Sequence, residues 1–555
     1  MTKLYLRFGC YWIAVLSIFT LTVSAQELTA NQTEANWQEN LKQIEKVLEK
    51  FKPENPGYQL SISRNGKIVF SKASGMANLE YNIPITKESV IETGSVSKQF
   101  TAAAILLLEQ QGKLSTQDDI RKFIPELPDY GDKITLDHMM RHTSGLRDWG
   151  SIAAMSGWER STKTYDNTDV LYIVARQKAV NFKPGERYLY SNSNYNLLAI
   201  VVERVSGMSL ADYSKKYIFE PAGMTRTEWR NNFKKVVKNR AFAYSKSGDA
   251  YLTNMPNENA YGNGGLLTTT EDLLKWNDYY LSGKFGSPSL LDKQIKTVPF
   301  NNGKMNEYAA GLVINTVRGW KSINHNGATA GYRANLEYFP ELNLSIAWLN
   351  NSSEFDGGMP APVAVRNILV PDKSAPAIPI TPITLSPEKL KAFEGWYREE
   401  SWSRNSGIKL IVKDGKLTSS RGTSFTPVSE DTFVFGPNRL QFVESGKKII
   451  LTTPAETATY SAVEDATIND KTLAAYSGVY YSDETETKLT VKTKDGKLFL
   501  IRKPQEEVSL TPLYKDRFES PLGDIQFIKG QGSDFVEFEV SDGRSINVKF
   551  KKITK

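Results

Sequence analysis

The chain has 555 residues, a formal net charge of +7, and 40% hydrophobic and 24% charged residues, the composition of an ordinary globular protein. That length exceeds what one hydrophobic core organises, so roughly two to four domains are expected. The charge is mild and no Lys/Arg block stands out, which leaves nucleic-acid binding without support.

The N-terminus reads as a secretion signal over residues 1–25. Lys3 and Arg7 form a basic start, Tyr11 to Val23 an apolar stretch, and Val23-Ser24-Ala25 a small-residue cleavage site. Export to the periplasm or the medium is expected, with no stable membrane insertion once the signal is removed. Cys10, the single cysteine, precedes the apolar stretch and leaves with the signal. The mature chain then has no disulfide, thiol nucleophile or Cys-ligated metal, and its formal charge falls to +5 with the loss of Lys3 and Arg7.

Trp37, Leu41, Ile44 and Leu48 recur at helical spacing, which predicts an amphipathic helix over Thr33–Phe51. Tyr58–Ser71 alternates around Arg64-Asn65-Gly66, a hairpin signal. The apolar run from Gly94 to Gly112 predicts a helix closed by its final glycine. A short capped helix follows over Ile134–His142, and Pro184-Gly185 turns into a strand ending at Tyr188-Leu189-Tyr190. Helices are predicted over Tyr195–Val205, stopped by Gly207, and over Glu271–Leu281. Leu312–Thr316, Ala334–Phe339 and Leu344–Leu349 read as strands. An early hairpin, a helical middle and late strands predict an α+β domain over residues 26–370 whose sheet is assembled from both ends.

Five prolines between Pro371 and Pro387 mark an exposed, semi-rigid linker over 371–386. Beyond it short strands alternate with Gly- and Asp-rich turns, and the sequence repeats. Phe393-Glu394-Gly395-Trp396-Tyr397 matches Tyr476-Ser477-Gly478-Val479-Tyr480, and Lys413-Asp414-Gly415-Lys416-Leu417 matches Lys494-Asp495-Gly496-Lys497-Leu498. The offsets stay between 81 and 85. One fold used twice is expected, as small antiparallel β-barrels over 387–466 and 467–555, since closure removes sheet edges.

Three short motifs carry the chemistry. In Ser95-Val96-Ser97-Lys98 the lysine lies one helical turn from the serine, its amine within reach of the hydroxyl. A desolvated, neutral lysine beside a helix N-terminus turns that alcohol into a nucleophile. Taken alone the pattern is a common helix cap. In Tyr190-Ser191-Asn192 a phenol beside the lysine is expected to have a depressed pKa and to carry a proton. Asn192 suits a substrate amide. In His325-Asn326-Gly327 the glycine lets a ligand approach a strand, and His325 is expected to supply a donor. His138 and His142 lie four apart on one helical face, but no Glu follows His138, so structural roles are expected, with His142 bonding turn backbone, and no metal or other cofactor.

Ser95-x-x-Lys98, Tyr190-x-Asn192 and His325-x-Gly327, in that order, resemble the three motifs of the serine β-lactamase and penicillin-binding-protein superfamily, in its class C-like branch. His142-Thr143-Ser144-Gly145-Leu146 and Gly264-Gly265-Leu266-Leu267-Thr268-Thr269 resemble accessory segments of that branch, and the likeness spans about residues 40 to 350. It implies a β-lactamase-like fold, an antiparallel sheet flanked by helices. It also implies a mechanism in which Ser95 attacks a carbonyl, Lys98 and Tyr190 share the proton work, and water releases the acyl group. The backbone N–H groups of Ser95 and Ala328 would form the oxyanion hole, Asn192 would orient the acyl side and His325 the far side. One departure is the His-Asn-Gly triplet where class C β-lactamases carry Lys-Thr-Gly, which points away from efficient antibiotic hydrolysis.

The layout of a catalytic domain followed by two lipocalin-like barrels is similar to bacterial D-aminopeptidase, in which a barrel loop enters the active site and restricts substrate size. Ser482–Glu486 and Gly530–Asp534 are the corresponding candidates. The reading is a serine hydrolase of amide bonds in peptides containing D-amino acids, aminopeptidase-like or DD-peptidase-like. An esterase or weak β-lactamase and a non-catalytic penicillin- or peptidoglycan-binding sensor are the alternatives. A small-molecule or short-peptide substrate is the expected partner, and a homodimer is left open.

Overall fold

The computed structural model describes residues 36–160, 162–355, 360–374, 379–400, 407–453, 457–502, 506–532 and 534–553. The expected signal peptide and Cys10 lie outside the described residues, as do residues 375–378 of the linker.

Helix α1 (36–48) opens the described chain and buries Ile44 and Leu48. The hairpin follows as β1 (Tyr58–Arg64) and β2 (Lys67–Ser74), turned by Asn65 and Gly66, both at positive φ. That pair of left-handed residues matches the twist of the flanking strands. Four late strands complete the sheet: β3 (Val313–Val317), β4 (Trp320–Thr329), β5 (Tyr332–Phe339) and β6 (Leu344–Asn350). Its order is β3-β4-β5-β6-β1-β2, so the chain's two ends meet where β1 pairs antiparallel with β6, Tyr58 opposite Asn350. On one face α1 and the helix Pro360–Leu369 bury Leu60, Ile62, Ile346 and Trp348.

The helical layer lies on the other face. Helix α2 (Lys98–Gln110) is apolar nearly all round and almost fully buried, as a central helix must be. Gly112, at φ +71°, ends it, and Lys113 N–H returns to Leu108 O at 3.0 Å. Helix α3 (Asn192–Ser206) packs on α2 and is stopped by Gly207 in the left-handed conformation. It begins three residues before Tyr195, which puts Asn192 in its first turn. The expected strand at Tyr188–Tyr190 does not form. That segment is extended but unpaired in any ladder, because Leu189 N–H bonds His142 O at 3.0 Å instead.

The C-terminal region forms an eight-stranded antiparallel sheet over Gly395–Val463 and a closed eight-stranded barrel over Gly478–Lys552. Each is preceded by a short helix, Pro387–Lys391 and Asp470–Tyr476. The repeat is visible in detail: Asp414-Gly415 and Asp495-Gly496 form equivalent turns at positive φ. Tyr397 and Tyr480 each donate their hydroxyl to the backbone oxygen four residues earlier, Phe393 at 3.2 Å and Tyr476 at 2.8 Å. Aromatic side chains fill both interiors, Phe393, Phe433 and Phe442 in one and Phe518, Phe527 and Phe538 in the other. The barrels are thus lipocalin-like in strand number but packed solid in the middle.

The second barrel clasps the catalytic domain. Arg147 pairs with Glu484, both buried, and also donates to Ile546 O and Asn547 O at 3.0 Å. Arg502 donates to Ala154 O at 2.8 Å and to Glu159 at 2.7 Å, while Ile546 packs on Phe182 and Leu189.

Candidate active site

Ser95 stands on a 3-10 turn, Gly94–Ser97, that runs straight into α2. The turn lies edge-on against the end of β4. A Cβ on Gly327 would meet Thr93 O at 1.8 Å, and one on Gly94 would meet Ala328 N at 2.7 Å, so only glycine allows this approach. Ala328 faces Arg333, one pair in from the Thr329–Tyr332 pair that closes the hairpin. Antiparallel ladders alternate, and at this position the peptide groups turn away from the partner strand, toward Ser95.

Lys98 is buried one turn on. Its Nζ lies 3.1 Å from Ser95 Oγ, 3.0 Å from Asn192 Oδ1 and 2.5 Å from Asn263 O. Burial lowers its pKa well below the ordinary lysine value, the Arg544 charge adds to this, and Asp148 opposes it. A neutral amine has two N–H groups and one lone pair. Asn192 Oδ1 and Asn263 O take the two hydrogens, which leaves the lone pair for the Ser95 hydroxyl.

Tyr190 hydrogen-bonds Ser95, and its ring centroid is 4.7 Å from Lys98 Nζ. The expected depression of its pKa is not found. Burial raises it, more than the Ser95 bond and Arg544 lower it. The reason is that the ammonium assumed to favour a phenolate is itself discharged by the same burial. Tyr190 is therefore a phenol, able to donate to Ser95 Oγ while Ser95 donates to Lys98.

Asn192 is fixed at both ends. Its side-chain oxygen accepts from Lys98, and its backbone N–H donates to Asp148 Oδ2 at 2.6 Å. Asp148 also caps the helix Trp149–Met155 through Gly150 N–H at 2.9 Å, so one carboxylate joins two helix N-termini behind the site.

His325 departs from the expected free donor. Nδ1 is 2.5 Å from Asn326 O, an acceptor, so it carries the proton, and Nε2 accepts from the Tyr308 hydroxyl at 2.8 Å. Burial and Lys98 push its pKa down to about 3, leaving a neutral ring with both nitrogens committed. His138 and His142 have separate duties. His138 Nδ1 accepts from Thr135 N–H at 3.3 Å in a capping box. His142 Nδ1 accepts from Ser191 N–H at 3.2 Å, and its ring lies 4.2 Å from that of Tyr190. The bond goes to the segment entering α3 and not to its own turn.

These groups line a cleft of about 470 Å³ that holds Ser95, Tyr190, Asn192, His325, Gly327 and Ala328. The sequence reading missed Asp148, Asn263, Tyr308 and Arg544. Asn263 sits immediately before the Gly-Gly-Leu segment, which was a usable signal; the others had none. The barrel loop at the cleft is also not either candidate. Ser482–Glu486 docks away from Ser95, its Glu484 oxygen accepting from Gln177 at 3.1 Å. Gly530–Asp534 closes on itself through a 3.0 Å bond, with Ser533 outside the described residues. The loop that reaches the cleft is 542–547, which carries Arg544 over the Tyr190 ring at 5.1 Å.

A serine at the head of a buried helix, a discharged lysine, a phenol and two strand-side glycines define the class: a serine hydrolase built on an α+β sheet. A family profile described as Beta-lactamase matches residues 41–367, and the chain belongs to that family. It is 29% identical over 307 residues to penicillin-binding protein 4* of Bacillus subtilis (strain 168), covering 53% of this chain and 67% of that protein. It is 25% identical over 450 residues to a D-aminopeptidase of Cereibacter sphaeroides (strain ATCC 17029 / ATH 2.4.9), covering 80% of this chain and 82% of the relative. The octameric penicillin-binding protein homologue from Pyrococcus abyssi shares the fold at a TM-score of 0.52 and 23% identity, over 86% of this chain and 99% of that one. The D-amino acid amidase of Ochrobactrum anthropi SV3 does so at 0.52 and 20% identity, over 60% and 99%.

Proposed function

We propose that the protein is an exported hydrolase that cleaves amide bonds of short peptides or amides containing D-amino acids, through an acyl-enzyme on Ser95. The observation that carries the mechanism is the Lys98 amine, whose two hydrogens are committed and whose lone pair is left for Ser95 Oγ. In the first step the Ser95 Oγ–carbon bond forms as the hydroxyl proton moves to Lys98. The developing oxyanion is held by the N–H groups of Ser95 and Ala328. The carbon–nitrogen bond then breaks as the Tyr190 hydroxyl protonates the leaving nitrogen, and Lys98 returns the proton to Tyr190. Water repeats the sequence to release the acid. Asn192 Nδ2 faces the acyl side, and His325 shapes the wall beside Gly327. The D-residue preference draws on the named activities of the D-aminopeptidase relative and the D-amino acid amidase. Export draws on the Lys3/Arg7 start, the apolar stretch and the Val23-Ser24-Ala25 site.

The test is a mass-shift assay with a fluorophosphonate and a penicillin, followed by p-nitroanilides of D- and L-amino acids, peptides and p-nitrophenyl esters. Wild type is expected to label once and turn over D-configured amides, and Ser95→Ala to do neither. Turnover of esters alone would favour the esterase reading, and labelling without release the sensor. Sequencing the N-terminus of protein recovered from the periplasm or medium tests export, with Gln26 expected first.

A further inference from the structure

The charges at the cleft are one-sided. Arg160, Arg333 and Arg544 line it together with Ser95, and no Asp or Glu does so among the described residues. The carboxylates just behind its wall are committed: Asp148 to Asn192 and Gly150 N–H groups, Glu258 to Arg160 as a bidentate partner. Arg160 is thereby largely neutralised, and Arg333 holds Ala330 O and Tyr332 O at 2.8 and 2.7 Å. Arg544 is different. Its backbone is anchored, N–H to Asp542 Oδ1 at 2.7 Å and oxygen to Asn181 Nδ2 at 3.1 Å. Its exposed guanidinium has no carboxylate and no hydrogen-bond acceptor among the described residues, only the face of Tyr190.

That position has a consequence for the leaving group. A leaving nitrogen must come within about 3 Å of the Tyr190 oxygen to be protonated. The α-carboxylate of an amino-acid leaving group is two bonds beyond that nitrogen, on the side where Arg544 stands. A guanidinium is suited to grip a carboxylate through two parallel N–H bonds. A free ammonium in the same place would meet repulsion and find no counter-charge.

We infer that Arg544, contributed by the second barrel, is a specificity-determining residue that selects substrates whose leaving group carries a free carboxylate, so that within the proposed hydrolase reading, on which this rests, the enzyme acts in the carboxypeptidase sense and not as an aminopeptidase. The barrel thus supplies charge selection as well as restricting space.

The experiment uses the full-length protein and three probes: an N-acyl-D-alanyl-D-alanine with free carboxylate, the same dipeptide as its C-terminal amide, and D-alanine p-nitroanilide with a free ammonium. Wild type is expected to favour the carboxylate over the amide by about tenfold to a hundredfold in kcat/KM, the range of a charge-assisted bond. The preference should shrink with added salt, as an exposed charge is screened. Arg544→Ala is expected to bring the ratio to about one and Arg544→Lys to keep part of it, with unchanged melting curves reporting intact folding. Where turnover is too slow to follow, the same probes are compared as protectants of Ser95 against the fluorophosphonate. A wild-type ratio of one or less, a preference for the ammonium probe, or a ratio indifferent to Arg544→Ala overturns the inference while leaving the hydrolase standing. Absence of both turnover and labelling removes the hydrolase itself.

Discussion

Replacing Glu484 with alanine should loosen the second barrel from the catalytic domain. Glu484 is the only carboxylate paired with the buried Arg147 guanidinium among the described residues, and its Oε2 also accepts from Lys178 N–H at 2.8 Å. Arg147 keeps its bonds to Ile546 O and Asn547 O at 3.0 Å, but its charge is left uncompensated in the interface. Removing one partner of a buried ion pair costs about 3–5 kcal/mol. Since about 1.4 kcal/mol is tenfold, the undocked barrel becomes at least about a hundredfold more populated. Hydrogen exchange followed by mass spectrometry should show faster exchange in 482–487 and 541–548, with little change inside either barrel. Glu486→Ala is the control, because Glu486 is half exposed and its pairing with Arg176 is loose at 3.4 Å, worth about 1 kcal/mol or less. The double variant Arg147→Met/Glu484→Leu should recover much of the loss, since apolar replacement of a buried pair is often neutral. Exchange in Glu484→Ala identical to wild type would refute the idea that this pair holds the barrel in place.

Lys98→Ala should lower kcat/KM at least about a thousandfold, as for other members of a cooperating catalytic unit. Because burial holds the Lys98 amine well below its ordinary value, wild-type activity should fall tenfold per pH unit on an acid limb and be flat through neutrality; a rate still climbing tenfold per unit from pH 8 to 10 would show an ordinary lysine. Gly327→Ala forces a Cβ to 1.8 Å from Thr93 O, a backbone atom that moves only with its turn. Stability should fall by about 1–3 kcal/mol, and activity by about a hundredfold or more as Ser95 and Ala328 part. His325 stays neutral in the folded protein down to about pH 3, whereas the unfolded chain takes up its proton near pH 6.5. Its contribution to stability is therefore present above about pH 6.5 and lost by about 1.4 kcal/mol per unit as pH falls toward 3. Melting temperatures from pH 7 to 4.5 should show this slope, and His325→Asn should flatten it; equal slopes would argue that carboxylates account for the acid sensitivity.

Much of the fold was legible where local rules and burial agree. The Asn65-Gly66 turn, the apolar α2 with Gly112 behind it, the Gly207 stop and the two Asp-Gly turns of the repeat all depend on neighbours in the chain, and all appear in the structure. The Tyr188–Tyr190 strand failed for the opposite reason: alternation marks a segment as extended, but a ladder needs a partner that only packing supplies. The phenol pKa failed likewise. It was argued from one neighbouring charge, and burial acts on both groups of the pair together.

Motif spacing alone placed Ser95 and Lys98 one turn apart, because a helix sets that distance within four residues. It named Tyr190, Asn192, His325 and Gly327 by their order and type. Tertiary structure decided the protonation of these groups, since desolvation depends on everything packed around them. It also decided that Asn263 and Asp148 complete the site, and that the second barrel reaches the cleft through 542–547. Arg544 lies 449 positions from Ser95, and no local rule connects residues that far apart; only the docking of Glu484 on Arg147 brings that guanidinium to Tyr190.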